Sequence, residues 1–143
     1  MLKILPGVIF LLLVSCSGEA SPARTPQVEL LPGDHVVLIG NALPDRMQHE
    51  GWFESYLQTS RPELQLVLRN HGFSGDRINH RPRAKGFPTP ETYLEISRAD
   101  VILAFFGYNE SFDANPQGFQ KELQDWIAAR RAFFSASQNE WDR

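Results

Sequence analysis

Three short blocks carry the residues whose types and spacing could do chemistry: Gly40-Asn41-Ala42-Leu43, Asn70-His71-Gly72-Phe73-Ser74-Gly75-Asp76 and Gly107-Tyr108-Asn109-Glu110. Each block directly follows a short apolar run that reads as a β-strand, and loops at the carboxyl ends of parallel strands are where an open α/β sheet builds its site. A nucleophile is harder to find. Ala42 has only a methyl group, and Ser74 sits in a glycine turn, where serine usually serves the turn itself. Asp45 and His49 share a helix face at i, i+4, as do Arg46 and Glu50, which reads either as a relocated base or as local ion pairing on a solvated face. His71, Asp76 and His80 lack the close spacing of a metal site. Gly72-Phe73-Ser74-Gly75-Asp76 misses the nucleophile elbow at its last position. No dinucleotide fingerprint follows a strand and no P-loop occurs, so no nucleotide cofactor is expected.

Each block follows a short apolar run: 35–39, 64–68 and 101–106. The first and third are nearly unbroken, like strands covered on both faces, while Gln65 and Arg69 interrupt the second, as at a sheet edge. Helical patterns lie between and after them, over 44–60, 90–98 and 116–131. Two open with a cap and a proline, Thr89-Pro90 and Asn115-Pro116. In the last, Phe119, Leu123, Trp126 and Ile127 make one apolar stripe. Strand and helix alternation predicts an α/β domain with a parallel sheet in the order second, first, third, the third strand having an uncovered edge. Loops at the carboxyl ends of such strands converge on one crevice.

The blocks resemble those of the SGNH, or GDSL-type, hydrolases, a flavodoxin-like α/β/α family of esterases and lipases. Its first block is Gly-Asp-Ser-Leu with a nucleophilic serine; its second, Asn-x-Gly-x-x-Gly, and third, Gly-x-Asn-Asp, supply oxyanion-hole donors. Gly40 and Leu43 match the first block, Asn70, Gly72 and Gly75 the second, and Gly107 and Asn109 the third. The resemblance covers about residues 34–130 and implies that Gly72 and Asn109 are oxyanion-hole donors. It departs where chemistry begins: Asn41 stands for the aspartate, Ala42 for the serine and Glu110 for the second aspartate. The late Asp-x-x-His block is absent, and no histidine follows His80. On the family pattern, the last strands and helix of the three-layer fold are missing from this sequence. The Gly-Asn variant resembles leading modules of long exported bacterial proteins that continue into haem domains; this chain has no Cys-x-x-Cys-His. The expectation is an esterase-like protein without catalytic residues, or a non-catalytic module that binds an acylated carbohydrate, a lipid or a partner.

The 143 residues fit one domain, expected at 34–143. A net charge of −3 gives no case for nucleic-acid binding. Arg77, His80, Arg81, Arg83 and Lys85 form a basic loop, suited to an anionic ligand or simply to solvent. At the start, Lys3 leads an apolar run, Ile4 to Val14, too short to span a bilayer and shaped like a secretory signal. It ends in Leu13-Val14-Ser15-Cys16, which resembles a bacterial lipobox; cleavage after Ala20 or Ala23 is the alternative. Cys16 is the only cysteine, which favours lipidation and a membrane-anchored or periplasmic protein. Residues 17–33, rich in Ser, Pro, Glu and Gly, read as a tether.

Overall fold

The computed structural model describes residues 28–82 and 85–141, with side chains through Ser135. The apolar leader, Cys16 and the tether up to residue 27 lie outside the described residues, as do Arg83 and Ala84 of the basic loop.

The protein is an α/β fold on a three-stranded parallel sheet. Strand β1 (His35–Gly40) is central, between β2 (Val67–Asn70) and β3 (Val101–Phe105), in the order β2-β1-β3. This is the predicted order. Every residue of β1 after His35 is buried, which is why its sequence is an unbroken apolar run. Val37 pairs with Ile102 across the sheet. Onto that face pack Leu94 and Ala99 with Phe134, making the core cluster, while Val36 and Leu38 alternate to the other face. Among the described residues β3 pairs only with β1, leaving its outer edge open.

The helical pattern over 44–60 is two helices, α1 (Ala42–Glu50) and α2 (Trp52–Ser60). Gly51 divides them: at φ 63° it adopts the left-handed conformation, and its N–H donates to Met47 O as a C-cap. The second strand begins three residues later than its apolar run. Pro62–Leu64 forms a 3-10 turn closed by Gln65 at φ 48°, so Leu64 and Leu66 are buried as plugs ahead of the sheet. Helix α3 (Pro90–Ile96) begins as expected, with Thr89 Oγ1 accepting the Thr92 N–H at 3.2 Å. Helix α4 (Pro116–Trp141) has Asn115 Oδ1 accepting the Gly118 N–H at 3.0 Å and runs past residue 131, where the stripe suggested an end. Arg130 of α4 pairs with Glu91 of α3 and lies over the Trp126 ring, 5.7 Å from its centroid. Burial works against the Glu91 charge, but its own backbone amide and Arg130 outweigh that and hold its pKa below the usual carboxylate value.

Candidate functional site

The three blocks meet at the carboxyl ends of the strands because main-chain bonds pull them together. The β1 end approaches β3 closely: Gly40 has φ 137°, and a Cβ there would lie 2.3 Å from Phe105 O. The next residue, Asn41, donates its N–H to the same oxygen at 3.2 Å. From the second block His71 N–H reaches Leu38 O at 2.8 Å and Phe73 N–H reaches Gly40 O at 3.0 Å. One loop is thereby stitched to the other two.

Within the second block, Asn70 works as a clamp. Its Oδ1 accepts the Gly72 N–H at 2.8 Å, and its Nδ2 donates to Pro44 O at 2.7 Å. Gly72 lies so close to α1 that a Cβ would sit 2.6 Å from Pro44 side-chain atoms. Further along, Ser74 donates its N–H to Asp45 Oδ2 at 3.0 Å and its hydroxyl to the same oxygen. The Ser74 hydroxyl is the main reason that the Asp45 carboxyl titrates below its ordinary value. Asp45 and Ser74 therefore engage each other across the loop: the acid stays ionised as a latch, and the hydroxyl donates to it.

In the third block Glu110 is buried, 5% exposed, and bridges two loops. Its Oε2 accepts the Gly107 N–H and its Oε1 the Ile78 N–H, both at 2.9 Å. The extra methylene over aspartate lets one carboxylate span both donors. Asn109 Nδ2 donates to Asp76 O at 2.9 Å, and Arg77 pairs with Asp113. Asp76, 1% exposed, faces Arg81 Nη1 at 3.3 Å, and the Arg81 guanidinium lies 4.9 Å from the Phe106 ring centroid. A buried pair of this kind loses much of its attraction to desolvation and adds little net stability. The cavity beside it, lined by His71, Asp76, Arg81 and Tyr93 among others, holds about 30 Å³, room for a water and not for a substrate.

The structure brings the first, second and third blocks together, but it engages their donors internally. Gly72 N–H is taken by Asn70, and Asn109 is oriented by Asp76. Ala42 is the first residue of α1 and Asn41 its N-cap. Asn41 is 4% exposed and, among the described residues, makes no capping bond and has no hydrogen-bond partner for its Nδ2. His49 and His80 are exposed, the latter joined to Arg77 through main-chain bonds. Among the described residues no group of three or more His, Cys, Asp or Glu is placed to hold a metal ion.

One pairing escaped the sequence. Ser97 Oγ and His71 Nε2 share a hydrogen bond at 2.9 Å, with the His71 ring 5.6 Å from Tyr93 and His35 Nδ1 bonded to Ser97 O at 2.7 Å. Serine bonded to histidine is the geometry of an activated nucleophile. Here the N–H groups of Ser97, Arg98 and Ala99 all donate to carbonyls of α3, namely Tyr93, Glu95 and Leu94, so these amides offer no oxyanion donor beside the serine. The pair joins the end of β2 to the end of α3. No spacing in the sequence could have signalled it, since topology alone makes the two residues neighbours. No family model, no curated protein and no solved structure matches the chain.

Proposed function

We propose that this chain is an exported, membrane-tethered module of SGNH-hydrolase type that holds a ligand at its loop face and does not hydrolyse it. The observation that carries this reading is the state of the Gly72 N–H. The family would present it to a substrate oxygen, but here it is taken by Asn70 Oδ1, beside a block whose nucleophile position is Ala42. Losing both attack and oxyanion stabilisation removes the two largest parts of acyl transfer. What remains for a ligand oxygen is the start of α1. There the Ala42 and Leu43 N–H groups have no acceptor among the described residues, as the first turn of a helix leaves them. The ligand class is an acylated carbohydrate or a lipid, which the block pattern suggests. The test is calorimetry with an acetylated disaccharide alongside measurement of released acetate. Binding without acetate release is expected; acetate release above background would overturn the reading.

A further inference from the structure

A second cavity lies at the opposite end of the sheet from the blocks. It has a volume of about 730 Å³, within the range of small-molecule sites, and opens beside the first residues of β1 and β3, His35 and Val101. One wall is apolar: Leu94 and Val101 with Phe133 and Phe134, whose rings meet edge-to-face at 5.4 Å. The rim is acidic. Glu29, Asp34, Glu95 and Asp100 line it, against Arg98 and the ring of His35.

Among the described residues these acids have no cationic partner. None of the four takes part in an ion pair within the described residues. Two have main-chain work: Asp34 Oδ2 accepts the Leu31 N–H at 2.7 Å and Asp100 Oδ2 the His35 N–H at 2.8 Å. Those bonds fix two carboxylates at the mouth without neutralising them. Glu29 and Glu95 are exposed and make no side-chain hydrogen bond among the described residues. Among the described residues four carboxylates and one guanidinium line the cavity, a balance that would repel an anion and gain little from a neutral molecule. Beside an aromatic pair they suit an organic cation, since ring faces and carboxylates attract the same charge.

We infer that this cavity is a binding site for an organic ammonium ligand with an apolar body. The alkyl or aryl portion lies against Phe133, Phe134 and Leu94, and the ammonium is drawn in by the carboxylates that line the cavity. The site is separate from the loop face, so it stands whether or not the module hydrolyses esters.

The experiment titrates the full-length protein with phenylbutylammonium, with phenylbutanol as the uncharged control, by calorimetry. The ammonium should bind saturably and the alcohol at least tenfold more weakly, by about 1.4 kcal/mol. Glu29→Gln and Glu95→Gln, which alter exposed side chains and leave the main-chain bonds in place, should each weaken the ammonium about threefold to fivefold. Raising the salt should weaken it further. Equal binding of alcohol and ammonium, or indifference to both substitutions, would overturn the inference. So would absence of ammonium binding together with a mass by light scattering that rises to a dimer, which would make a second copy the occupant.

Discussion

The main-chain N–H of Gly72 donates to Oδ1 of Asn70, two residues back, at 2.8 Å. The other end of the same amide donates to Pro44 O. One side chain thus closes the second block on itself and fastens it to the first helix. An asparagine making both bonds is rigid, and in the proposed reading the donor it takes is the one that a bound carbonyl would need. The remaining blocks show the same habit: Glu110 and Asn109 hold loops to one another.

Glu110 shows the cost of losing such a link. Glu110→Ala would leave the Gly107 and Ile78 N–H groups unpaired beneath the loops, at about 1–3 kcal/mol each. A loss of about 2–4 kcal/mol in urea unfolding is expected, and Glu110→Gln, which keeps one acceptor oxygen, should lose about half of that. Equal stability of all three proteins would mean that the bridge is idle.

At Gly40 the constraint is steric. A side chain there meets Phe105 O at 2.3 Å and must also adopt φ 137°. Gly40→Ala should therefore destabilise by about 2–3 kcal/mol, while Gly33→Ala, with nothing within 4 Å of its Cβ, meets only the strain of φ 85°. Chemical denaturation of the pair separates crowding from backbone strain.

The latch between Asp45 and Ser74 has a pH signature. The folded Asp45 pKa is lowered from 3.8, so its bond to Ser74 contributes stability above about pH 4 and loses it as pH falls through the lower folded value. The effect is small, because the carboxylate is solvated. The Ser74 amide resonance should titrate with a midpoint below 3.8, and Ser74→Ala should return Asp45 toward its ordinary value. A midpoint above 3.8 in the wild type would contradict the latch.

Anchoring is tested by Cys16→Ser, which should move the protein from the membrane fraction into the periplasm. In the proposed reading the lipid on Cys16 is the anchor; among the described residues no helix is long and apolar enough to cross a membrane. Wild-type protein that is already soluble would rule it out.

Much of the scaffold was legible in the residues. The unbroken run of β1 marked a buried strand, though the like run of β3 forms an edge strand with no fully buried residue, and Thr89-Pro90 and Asn115-Pro116 marked two helix starts. The misplaced boundaries have local causes. A continuous apolar period hid the break at Gly51, and Leu64 and Leu66 looked like strand because both are buried, though Gln65 turns left-handed between them. The candidate site was legible as three loops in order, but not as a bonding pattern. That Asp76 O meets Asn109, or that His71 meets Ser97, depends on how β2 and α3 return across the sheet, which no local spacing encodes.

Hydrolysis of an activated acyl ester by the purified protein tests the central claim most directly. Wild type, Asn109→Ala and Ala42→Ser should all release acid at the rate of the buffer, because in the proposed reading a serine placed at 42 finds the Gly72 N–H already taken by Asn70, and loss of catalytic groups costs up to about a millionfold in turnover. Turnover well above buffer in the wild type that Asn109→Ala abolishes would contradict the claim and make the loop face an active site.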